Sequence, residues 1–201
     1  MKNEEALDTL KDIRQMMEKS TKCLSLSGLS GIFIGIYAIA GAYGIQQYLN
    51  DSGLRSVGLL EQYIFGIALA VLVLSILTAF ALSEWRARKS GQSIFNKTAR
   101  KMLTDLFIHL LPGGALSIAM GLSAHTEFIT SVMLICYGLA LISAAKFTFK
   151  NVLYLGYSLL TLGVINCFFT GYSLLLWTVG FGVLHIIYGV VMYFKYDSQT
   201  A

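Results

Sequence analysis

Lys101–Ala124, KMLTDLFIHLLPGGALSIAMGLSA, is the stretch whose reading decides the fold. It is an apolar run long enough for a helix to cross a hydrocarbon core of about 30 Å, which takes roughly 20 residues. Asp105, His109 and Pro112-Gly113-Gly114 are set into it, and that proline is the only one in 201 residues. Pro112 removes one helical hydrogen bond and crowds the carbonyl of Ile108, while the two glycines let the backbone bend or unwind. The stretch therefore predicts a membrane span broken near its middle, where freed backbone groups line a cavity or are buried in protein.

Five further windows of the same kind surround it. The spans are expected near 24–48, 63–82, 102–123, 128–145, 152–170 and 172–194. With 56% hydrophobic and 13% charged residues and a mean hydropathy of +0.67, the composition excludes an ordinary soluble domain. The expected fold is an all-α membrane protein of six transmembrane helices. Residues 1–23 precede it as a cytoplasmic amphipathic lead-in, 24–195 form the membrane domain, and 196–201 are a cytoplasmic tail.

The net charge of +4 matters less than its distribution. Lys2, Lys11, Arg14, Lys19 and Lys22 precede the first span. Arg86, Arg88, Lys89, Lys97, Arg100 and Lys101 lie between the second and third, Lys146 and Lys150 join the fourth to the fifth, and Lys195 follows the sixth. Only Arg55 falls on the other side. The positive-inside rule then places both termini in the cytoplasm. The cations act as topology signals, so no nucleic-acid partner is expected. Three cysteines without a CxxC spacing, two of them (Cys136 and Cys167) within spans, read as packing residues; neither a disulfide nor a metal site is expected.

Leu7, Leu10, Ile13 and Met17 give residues 3–22 one apolar stripe at helical spacing. That lead-in is expected to lie on the inner ends of the spans, on the bilayer surface or on a cytoplasmic protein partner. In the first span Ser27, Gly31 and Gly35 stand at four-residue steps beside Gly28, a small face that lets helices approach closely. Internal packing is its first use and a homo-oligomer seam the alternative. Glycines seven apart recur as Gly28/Gly35, Gly114/Gly121 and Gly156/Gly163, and Tyr-Gly pairs as Tyr137-Gly138 and Tyr188-Gly189. Such self-similarity suggests three repeated helical hairpins.

The runs Glu18–Thr21, Ser25–Gly31 and Gly180–Gly189 resemble an uncharacterised family of six-span bacterial inner-membrane proteins, and the glycine-rich hairpins are more distantly similar to HdeD-like proteins. The resemblance covers the whole chain. It implies the six-span topology and carries over no chemistry.

Candidate chemistry follows from depth. At about 1.5 Å per residue, His109 lies about 12 Å inside Lys101, Pro112 about 16 Å, and His185 about 15 Å inside Lys195. Asp105 sits one turn from His109 on the same face. These residues and the Pro112-Gly113-Gly114 break form a candidate pathway or ligand site for a small solute or ion, giving transport or sensing as the expected function. Two alternatives compete with it: a membrane scaffold or regulator without catalysis, and a b-type haem held by His109 and His185. Gly28-Leu29-Ser30-Gly31 with His185 and Gly189 is also similar to the GxSG serine and HxxxG histidine of rhomboid proteases, a resemblance that implies a Ser30–His185 pair and reaches no further.

Overall fold

The computed structural model describes residues 28–51, 57–89, 97–123 and 125–197; the amphipathic lead-in, Ser27 and the last residues of the tail lie outside them. Among the described residues the chain is all-helical, and six helices are long and apolar enough to cross a membrane. They are α1 (Gly28–Asp51), α2 (Val57–Lys89), α3 (Lys97–Leu122), α4 (Ile129–Ala144, with its flanking turns Thr126–Phe128 and Ala145–Phe147), α5 (Lys150–Phe168) and a composite sixth segment, Thr170–Lys195. That segment contains α6 (Ser173–Trp177), a π-helical stretch (Thr178–Val183), α7 (Leu184–Met192) and a second π-helical stretch that begins at Tyr193.

Helix α2 runs beyond its apolar window, because charge ends membrane solubility without ending a helix. Its 33 residues are about 50 Å long. The overshoot is held by a Glu84–Arg88 ion pair one turn apart and by Lys89, whose Nζ lies 5.9 Å from the Trp85 ring.

Glycine sets the seams. A Cβ on Gly28 would stand 2.5 Å from the Tyr193 nitrogen and 2.7 Å from the Gly189 carbonyl oxygen, and one on Gly35 would stand 2.5 Å from the Gly182 carbonyl oxygen. The small face of α1, with Gly31, is thus used inside the chain, against the sixth segment. Gly138 and Gly156 approach in the same way between α4 and α5, where a Cβ on either would stand within 2.9 Å of the other's carbonyl oxygen. In both seams the second glycine meets the isoleucine three residues before the partner's Tyr-Gly glycine: Gly35 meets Ile186, and Gly163 meets Ile135.

The third glycine pair has no such seam. Gly114 has nothing within 4 Å and Gly121 only Ile129 at 3.9 Å. The principal neighbour of α2 is α1, and that of α3 is α4. The helices therefore form an open array, α2–α1–sixth segment–α5/α4–α3, with its core at Leu134, Leu155 and Leu159 under Leu162, Phe181 and Tyr188. Most of the surface of the two edge helices is uncovered.

Candidate functional site

The most ordered polar feature lies in the sixth segment. In its first π-helical stretch the N–H of Leu184 bonds to the carbonyl of Val179, five residues back, so the turn holds one residue more than an α-turn. Gly180 and Gly182 make room for it, since a Cβ on Gly180 would lie 2.6 Å from Leu134 and one on Gly182 2.6 Å from Ile39. The His185 side chain follows the same offset, with Nδ1 2.9 Å from the Gly180 carbonyl oxygen. A carbonyl only accepts, so Nδ1 carries the proton and Nε2 a lone pair. The Tyr137 hydroxyl of α4, 3.2 Å from Nε2, must then donate.

His185 is 2% exposed and both of its nitrogens are used. Trp177, Phe181 and His185 follow one another at four-residue steps, with successive ring centroids 5.5 and 5.9 Å apart, and Tyr137 stacks on His185 at 5.6 Å. The result is a column of half-buried aromatic rings over the buried His185, with one hydrogen-bonded relay inside it.

Asp105 and His109 lie elsewhere. Helix α3 is continuous from Lys97 to Leu122, and the break expected at Pro112-Gly113-Gly114 is not formed. Pro112 faces outward, where its missing N–H and its ring disturb no neighbouring helix. Gly113 serves close packing instead, since a Cβ there would lie 2.6 Å from Cys136 Cβ, while Gly114 has open space. The Ser117 hydroxyl donates to the Gly113 carbonyl across 2.9 Å.

His109 Nδ1 lies 2.9 Å from the Asp105 carbonyl oxygen, four residues back as a regular α-helix requires. Its Nε2 and the Asp105 carboxylate have no partner among the described residues.

The two histidines belong to helices that meet different faces of α4. Cys136 of α4 meets Gly113 of α3, whereas Tyr137, about 100° further round α4, meets His185. Asp105, His109 and Gly113 are thus brought together on α3, and His185 is on a different face of α4. Haem ligation by both imidazoles would require α4 to be displaced and the Tyr137 bond broken. His185 has no free nitrogen to act as a base for Ser30.

A second polar cluster, at the other end of α4, joins three elements. Asn166, fully buried, donates from Nδ2 to the Ser131 hydroxyl across 2.9 Å, and its Oδ1 lies 3.2 Å from Ser173 Oγ. Among the described residues, an open groove of about 460 Å³ lies beside Tyr48, Asp51 and Tyr63 and another of about 400 Å³ beside Tyr157, Thr161 and Val179; neither is lined by Asp105, His109 or His185.

Sequence reading singled out His185 but missed the Gly180 carbonyl and the Tyr137 hydroxyl as its partners. The only sign of the first was a glycine five residues before a histidine. Comparison with protein-family models, with curated proteins and with solved structures finds no match.

Proposed function

We propose that the chain is a multi-pass protein of a cell's inner (plasma) membrane, with cytoplasmic termini, that works as a non-catalytic scaffold or regulator through its helix faces. The observation that carries this reading is the use made of polar groups inside the bundle. His185 is saturated by Gly180 and Tyr137, and Asn166 bridges Ser131 and Ser173, so each holds helices together. Meanwhile α2 and α3 keep large apolar residues exposed, among them Ile76 (58%), Leu77 (60%), Leu111 (67%) and Ile118 (63%), a surface suited to lipid or to other membrane helices.

Transport or sensing of a small solute or ion is the second reading, supported by one observation: among the described residues the Asp105 carboxylate and His109 Nε2 have no partner, in a helix long and apolar enough to cross a membrane. Flux of protons, cations and amines into proteoliposomes separates the two. The scaffold reading expects wild type and His109→Ala to match protein-free liposomes. A wild-type flux that His109→Ala abolishes would replace it with transport.

A further inference from the structure

Helix α3 presents three unlike sides. One, with Ala99, Gly113 and Ser117, packs on α4. Another carries Leu103, Phe107, Leu111 and Ile118, all bulky and exposed, as a lipid-facing surface should be. The third runs Lys101, Asp105, Ile108, Pro112, Ala115 and Ala119 in alternating steps of four and three, the spacing of a helix-pairing seam. Its outer half is small, which lets a second helix come close. Its inner half carries both signs of charge.

All six residues are exposed except the half-buried Asp105. Among the described residues neither the Asp105 carboxylate nor the Lys101 ammonium has a partner, although they stand one turn apart. Lysine placed N-terminal to the acid is the weaker order for a pair within one helix. An unpaired carboxylate costs about 2.5 kcal/mol at the centre of a span and less toward its end, so a partner for Asp105, one turn inside Lys101, is favoured.

We infer that this side of α3 is the interface of a homodimer, with α3 of a second copy packed parallel to it about a two-fold axis along the bilayer normal. The occupant is a second copy because the face complements itself. Asp105 meets Lys101 of the partner subunit, and the same pair forms again across the axis, so the two carboxylates, near neighbours at the axis, are bridged by the two ammonium groups in one isologous contact. Ala115 and Ala119 then lie close to their own copies. This dimer deepens the scaffold reading and rests on it for its role: an intact dimer that also carries a flux would sink the scaffold alone, and a monomer without flux would sink the dimer alone.

The test uses the full chain in liposomes, with Cys23, Cys136 and Cys167 replaced by alanine and one cysteine introduced at a time. Mild oxidation should link Ala115→Cys and Ala119→Cys into dimers, because Cα atoms within about 7 Å can be bridged, and should leave Leu111→Cys and Ile118→Cys as monomers. Asp105→Asn should lower the dimer fraction in an Ala119→Cys background, corresponding to about tenfold weaker association. The exchange Lys101→Asp with Asp105→Lys should restore it. Equal cross-linking on every side, a monomer at all protein-to-lipid ratios, or a dimer indifferent to Asp105→Asn would each overturn the proposal.

Discussion

The hydroxyl of Tyr137 donates to Nε2 of His185 across 3.2 Å, between α4 and the sixth segment, while Nδ1–H donates to the Gly180 carbonyl. One side chain thus ties the widened turn of its own helix to a neighbouring helix. Tyr137→Phe should destabilise the bundle by about 1 kcal/mol, since it leaves a buried acceptor unmet within the usual range of membrane hydrogen bonds. His185→Leu should cost more, because the Gly180 carbonyl loses its donor as well. Equilibrium unfolding in bicelles of both single variants and the double variant should give a coupling energy of about 0.5–1.5 kcal/mol; strict additivity would mean that the pair does not interact.

Glycines that look alike in the sequence should behave oppositely. Gly189→Ala places a methyl group 2.6 Å from both the Gly28 carbonyl oxygen and the Ile32 nitrogen. Backbone cannot swing away as a side chain can, so a loss of about 1–3 kcal/mol is expected. Gly114→Ala meets nothing within 4 Å. It should be neutral, or stabilising by up to about 1 kcal/mol through helix propensity. The same unfolding assay decides, and equal losses at the two positions would contradict the seam assignment.

Pro112→Ala should leave the architecture intact and raise stability slightly. The substitution returns an N–H to the Ile108 carbonyl in a helix that is already continuous. If Pro112 instead marked a required break, the alanine variant would lose function or fail to assemble in a complementation or co-purification assay.

Asn166→Leu should cost about 1–3 kcal/mol. It removes the donor to Ser131 and the acceptor near Ser173, and forces a branched side chain into a fully buried site. Ser131→Ala should cost less, because the Asn166 carbonyl keeps Ser173 in reach. Thermal unfolding in detergent reads both, and the reverse order would count against the network.

The fold was legible because each span needs only length and apolarity, which composition states directly. Boundaries shifted where charge and helix parted company, as at Glu84–Lys89, whose ion pair carries α2 past its apolar window. Local backbone was harder to read. Pro112 advertised a break that an outward-facing position does not need, while the real irregularity, Thr178–Val183, contains no proline and is set by Leu134 and Ile39 against Gly180 and Gly182. Glycine spacing suggests an internal repeat, yet Gly28/Gly35 and Gly156/Gly163 pack while Gly114/Gly121 do not.

The candidate site was legible in depth alone. By residue count His109 and His185 lie about 12 and 15 Å inside their flanking lysines, and no pattern in the sequence states that Cys136 faces one helix and Tyr137 another. Azimuth around α4 is a tertiary fact. It separates Asp105 and His109 from His185 as firmly as distance along the membrane would.

The hydrogen-bonded relay at His185 is the centre of this account, and nitrogen NMR of histidine-labelled protein in bilayers, with His109→Gln and His125→Gln backgrounds for assignment, tests it directly. The neutral Nδ1–H tautomer is predicted for His185, with its Nε2 resonance shifting on Tyr137→Phe. An Nε2–H tautomer, or no response to Tyr137→Phe, would contradict it, because Gly180 and Tyr137 could not then both be its partners.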